Sequence, residues 1–268
     1  MEPVATRGSA ARVAVWAFHL TLPLLGLWLL LARPSLDVVW EHHPTHFWLV
    51  FVAAALLVGL AVLVDRAARR HADVRLMLLA LGYLAAAAFL GLHALATPGL
   101  LLAGRNAGFD LATPVGLVLA AVIVAASAVD FPPARAQAVL RQARWLRAGL
   151  LLVVLAWGVA SLANLPPLAD PGFVEQARTP LLVVAALATG LYVAAAIRYF
   201  LLYRRRRAVM LLSIVTANVL LAEAMVAVAL APNWRLSWWE WHVLFIAAFG
   251  YLAYSSYVQY GREGATAG

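Results

Sequence analysis

The sequence predicts an all-α polytopic membrane bundle of about eight transmembrane helices, with both termini in the cytoplasm. Three observations predict it. The first is composition: of 268 residues, 65% are hydrophobic and only 12% charged, with a mean hydropathy of +0.88. Soluble domains are about 45–50% apolar and about 25% charged, so this chain lacks the polar side chains to cover a water-facing surface. The second is spacing. Apolar runs of the length that spans a bilayer, roughly 17–25 residues, recur near 13–32, 47–64, 76–96, 113–129, 147–165, 180–202, 208–231 and 239–259. The third is the distribution of arginine.

All 20 basic residues are Arg, giving a formal charge of +8. The N-terminus, the loops after the second, fourth and sixth spans, and the C-terminal tail hold 16 of them, against 4 (Arg33, Arg105, Arg178 and Arg235) on the other side. Cytoplasmic loops collect Arg in this way, so the charge orients a membrane protein and does not call for nucleic acid. The absence of Lys excludes a retinal Schiff base, and the absence of Cys excludes disulfides, thiolate metal sites and iron–sulfur clusters.

Taken in order, the first span is a retained helix and not a signal peptide, because its apolar stretch is long, contains His19 and ends in a poor cleavage site, Leu31-Ala32-Arg33-Pro34. Pro34, Pro98, Pro166 and Pro232 follow the odd-numbered spans and stop them. Capping signals open the even-numbered ones: Thr45 for the second, Thr113-Pro114 for the fourth and Thr179-Pro180 for the sixth. Ser237-Trp238-Trp239-Glu240 has capping-box spacing, with Glu240 expected to reach back to the cap of the eighth. The outer loops 33–46, 97–112 and 166–179 are too short for another domain, so residues 1–268 form one membrane domain. Trp28, Trp40, Trp48, Trp234, Trp238, Trp239 and Trp241 gather at the outer end as an aromatic belt, from which Trp238 and Trp241 are the candidates for lining a pocket.

Ionisable residues inside a membrane are costly, and each is a candidate functional group. Glu223, in the outer half of the seventh span, shares a helix face with Thr216. His93 lies near the outer end of the third span, on a face with Gly82, Ala86 and Phe89, which points it into the bundle. His242 lies in the first turns of the eighth span, and Glu41-His42-His43-Pro44-Thr45-His46 opens the second. The candidate ligand site is therefore His93, Glu223, His242, Trp238, Trp241 and Thr216, and the candidate metal ligands are His42, His43, His46, His93 and His242. A histidine group without thiols suits Zn²⁺ or Cu²⁺, or axial ligation of haem b. Trp157, Ser161 and Asn164 read as interhelical hydrogen bonders, and His19 as an interior histidine satisfied within the bundle. Arg204–Arg207 read as anchors at anionic headgroups. No phosphate-binding loop, nucleophile elbow or paired-carboxylate motif is present, so an enzymatic activity is not expected.

Two stretches carry a resemblance. Leu90-Gly91-Leu92-His93-Ala94-Leu95-Ala96-Thr97-Pro98-Gly99, continuing to Ala107-Gly108-Phe109 and Ala112-Thr113-Pro114-Val115-Gly116-Leu117, and Trp238-Trp239-Glu240-Trp241-His242 together resemble the N-terminal membrane regions of bacterial class III adenylate or guanylate cyclases. The resemblance implies a multi-pass block in the bacterial inner (plasma) membrane that works on a cytoplasmic effector, attached to or docked on its C-terminus. No cyclase domain follows in these 268 residues. The expected function is a membrane sensor with a ligand or ion site at the outer helix ends. The alternatives are a haem- or metal-dependent redox protein and a transporter. The expected partners are the lipid bilayer and that effector, with a homodimer as the candidate assembly and no nucleic acid.

Overall fold

A computed structural model describes residues 5–95, 97–102, 104, 106–168 and 178–266. Arg105 and most of the 166–179 loop lie outside the described residues. The elements are α1 (Ala5–Ala32), α2 (His43–His71), α3 (Val74–Leu95), a single turn α4 (Ala107–Asp110), α5 (Ala112–Ser127), α6 (Pro133–Arg141), α7 (Ala143–Leu162), α8 (Arg178–Arg206), α9 (Val209–Leu230) and α10 (Leu236–Thr266). Each predicted span matches one of eight long helices among the described residues, four of the spans overrunning the helix bounds by one to three residues.

By length and hydropathy, seven of these are fit to cross a membrane: α1, α2, α3, α4 with α5, α7, α8 and α9. The chain is thus an all-α, multi-pass membrane helix bundle. The expected eighth span lies in α10, which at 31 residues is long enough but falls outside the apolar set. Glu240, His242, Ser255 and Ser256 dilute its hydropathy, and all but Glu240 are buried in the bundle.

The helices run up and down, as short connections require. One end, here the histidine end, collects the C-termini of α1, α3 and α9 and the N-termini of α2 and α10. The other, the arginine end, holds the α2–α3 turn, α6 and the α8–α9 turn. α3 and α9 are central, with 72% and 67% of their apolar windows buried, whereas α1 at 6% lies on the outside. Close approach of α3 to α5 depends on glycine: a Cβ at Gly116 would stand 2.2 Å from Phe89 Cβ, and one at Gly82 2.9 Å from Val124 Cγ2. Two tyrosines tie α8 to α5, Tyr192 donating to Leu117 O at 3.0 Å and Tyr199 sharing a 2.8 Å hydrogen bond with Ser127.

At the arginine end, Ala72 adopts φ 47° to end α2. Asp73 Oδ1 then accepts the N–H groups of Arg75 and Leu76 at 2.8 and 3.2 Å and starts α3. Arg75 pairs with Asp130, and Asp65 receives both Arg69 and Arg147.

Three expected caps differ. His42, not Thr45, caps α2: its Nδ1 accepts the Thr45 N–H at 3.2 Å. Thr113 lies inside the first turn of α5, which begins one residue earlier, so its hydroxyl cannot serve as cap and is buried without a partner. Glu240 does not reach back to Ser237. Both of its carboxylate oxygens face Gly26 of α1, 4.0 Å from where a Cβ would stand, and the start of α10 is held by Asp37 instead. His19 is exposed on the outward face of α1 and not interior, with its Nδ1 donating to Val15 O of its own helix at 2.7 Å. α1 packs so peripherally that this face meets no other helix.

Candidate metal centre

At the histidine end, the first turn of α2, the last turn of α3 and the second turn of α10 deliver His46, His93 and His242 to one point. One ring nitrogen from each lies within 4.8 Å of the others, and the three residues are 3%, 8% and 1% exposed. The rings of His93 and His242 stand nearly perpendicular to that of His46, both at 86°, with centroids 5.2 and 5.1 Å away.

The outer nitrogen of each ring is occupied. His93 Nδ1 donates to Phe109 O at 3.2 Å, and His242 Nδ1 donates to Trp238 O at 3.2 Å. His46 Nδ1 shares a 2.9 Å hydrogen bond with Thr97 Oγ1. The Nε2 atoms of all three are buried and have no hydrogen-bond partner. In a neutral imidazole whose Nδ1 carries the proton, Nε2 presents a lone pair. His93 and His242, whose Nδ1 faces a carbonyl, therefore offer Nε2 lone pairs, and His46 does so when its Nδ1 donates to Thr97; half of the six unpartnered buried side-chain atoms among the described residues belong to this group. Leaving such atoms unpaired costs about 1–3 kcal/mol each, and a cation among them removes that cost. Three nitrogens on a tetrahedral ion at about 2.0–2.1 Å would stand about 3.3 Å apart, a contraction within reach of side-chain torsions. The residues present fit a transition-metal ion.

Tryptophans wall the group. Trp241 stacks on His242 at 3.4 Å, Trp238 meets His242 at 4.4 Å and His46 at 5.1 Å, and Trp239 lies 5.4 Å from His242. Trp234 covers it from outside, between His43 at 4.9 Å and His46 at 5.5 Å, with φ at 63°. That left-handed backbone is strained for a bulky residue.

The segment after α1 fixes this end. Trp40 N–H donates to Trp234 O at 2.7 Å, Leu236 N–H to Val38 O at 3.1 Å, and Trp239 Nε1 to Trp40 O at 2.8 Å. Buried Asp37 accepts both the N–H and the hydroxyl of Ser237.

Of the other candidate residues, Trp238 and Trp241 wall the group as above, and the rest stand apart from the three histidines. His42 is spent on the α2 cap. His43 is part-exposed, and both of its ring nitrogens are engaged outside the cluster, by Pro98 O at 3.1 Å and Glu41 Oε1 at 2.9 Å. Thr216 accepts a hydrogen bond from Trp16 of α1 at 3.1 Å. Glu223 is 5% exposed with Oε2 unpartnered, and it does not join the cluster of three histidines. Trp157 Nε1 donates to Gly108 O at 2.8 Å, joining α7 to α4.

Sequence reasoning missed Asp37 and Thr97. Each lies in an outer loop and acquires its role through a partner far along the chain, and no local pattern marked either. Comparison with protein-family models, with curated proteins and with solved structures finds no match to this chain.

Proposed function

We propose that the chain is a metal-dependent membrane sensor block that binds one transition-metal ion, Zn²⁺ or Cu²⁺, through His46, His93 and His242. The observation that carries this is the convergence of three unpartnered Nε2 atoms whose Nδ1 partners hold the rings in place. Neutral imidazoles without thiolates suit these ions, and second-shell hydrogen bonds of this kind orient metal-binding histidines. Three protein ligands leave a coordination position for an exchangeable group. A bare ion is favoured over haem b because ring centroids 5.1 to 5.2 Å apart and edge-to-face leave no slot for a flat macrocycle.

The sensor reading rests on α10. It carries His242 and continues unbroken to the arginine end, where Ser255 is hydrogen-bonded to Ser213 of α9. A contraction around the metal pulls on one end of that helix, and the resemblance to cyclase membrane regions implies an effector at the other.

Metal analysis of purified protein after Zn²⁺ or Cu²⁺ loading and desalting tests the site. One ion per chain, lost in His93→Ala and in His242→Ala, is expected; equal retention by these variants would overturn it. Spin labels on α9 and α10 near Ser213 and Ser255 test the signalling. A distance distribution unmoved by metal would leave a metal site without a sensor.

A further inference from the structure

The arginine end holds a second feature, independent of the metal centre. The last turns of α2, the start of α3, α6 and the first turns of α7 enclose a cleft of about 390 Å³, within the ordinary range of small-molecule sites, about 300–1,000 Å³. Arg69, Arg141, Arg144 and Arg147 line it, over an apolar floor that includes Met77 and Leu140. Four arginines line one cavity.

The ion pairs here are incomplete. Asp65 serves both Arg69 and Arg147. Arg141 and Arg144 have no carboxylate partner among the described residues, and Arg144 rests its guanidinium 5.1 Å over the ring of Trp145. α6 forms the roof. It starts at a proline pair, has no fully buried residue, and packs Val139 and Leu140 toward Ala68 and Met77. Solvated arginines pointing into headgroups would need neither a cavity nor a roof.

Arginine offers several N–H donors in a planar fork that matches phosphate oxygens, so clustered Arg over an apolar surface recognises a phosphate joined to something hydrophobic. We propose that this cleft binds a phosphate-bearing ligand with an apolar portion, the phosphate held by Arg141 and Arg144 and the apolar portion lying against Met77 and Leu140. The phosphate can come from an anionic phospholipid of the surrounding leaflet or from a soluble phosphate ester.

The test uses the full chain in phosphatidylcholine nanodiscs and two probes, labelled phosphatidylglycerol doped into the disc and ATP in solution. The cleft variant is R141Q/R144Q. The control is R66Q/R70Q, which removes the same charge from exposed positions of α2 that do not line the cleft. Both cleft arginines are exposed and unpaired, so the substitution leaves the fold intact, checked by gel filtration. The expected result is binding of one probe by wild type and control, weakened by about tenfold or more in the cleft variant; which probe binds identifies the source. Binding of neither probe, a smaller loss, or equal losses in cleft and control variants would each overturn the proposal, the last because general charge attraction would then explain the arginines.

Discussion

The Asp37 carboxylate grips Ser237 twice, accepting its backbone N–H and its hydroxyl, each at 2.8 Å, across 200 residues of sequence. This contact caps α10 from outside and sets the helix that carries His242. Buried hydrogen bonds to a charged acceptor contribute about 1.5–3 kcal/mol. Asp37→Ala is expected to lower stability by roughly that amount, read as a lower midpoint in detergent unfolding. An unchanged midpoint would mean that the loop contact adds nothing.

Thr97 supports His46 through its hydroxyl. Removing such an outer partner typically costs about 10–100-fold in metal affinity. Thr97→Val is expected to weaken Zn²⁺ binding by that factor at unchanged stoichiometry, measured by competition with a chelator. His43→Ala and Glu223→Gln, which touch groups outside the three histidines, should leave affinity within about twofold.

Protons compete with metal for the imidazole lone pairs. Metal affinity is therefore expected to fall as pH is lowered, since each histidine must be neutral to ligate. Chelator competition across a pH series carried into the strongly acidic range checks this, and affinity that rises toward acid would speak against histidine ligation.

Gly116 lets α5 approach α3 because a Cβ there would stand 2.2 Å from Phe89 Cβ. Gly116→Ala should destabilise by about 1–3 kcal/mol through overpacking. In the double variant Gly116→Ala/Phe89→Gly the two losses should be less than additive, because removing the Phe89 Cβ together with its ring relieves the clash. Strict additivity would count against the contact.

The helices were legible because hydropathy, Arg bias and proline placement are local signals, and each marks a span without reference to its neighbours. The depth of His46, His93 and His242 was legible for the same reason. Which histidines meet was not: His42, His43 and His46 are near neighbours in sequence, yet only His46 turns inward. The rotation of α2 and the engagement of His43 by Pro98 and Glu41 separate them. Glu223 shares the histidines' depth but does not join their cluster. Depth along a helix can be read from sequence, whereas azimuth depends on how the bundle packs. Asp37 and Thr97 lay beyond reach because their partners are loops and helix starts brought together only by the fold.

Two of the three imidazoles are held by main-chain carbonyls, those of Phe109 and Trp238. No side-chain substitution at either position deletes the acceptor, so these supports are insulated from point mutation. His46 alone leans on a side chain, the hydroxyl of Thr97. A single codon thus acts as the adjustable dial of the centre: a change there can shift metal affinity up or down while the other two ligands, and the geometry they impose, stay as they are.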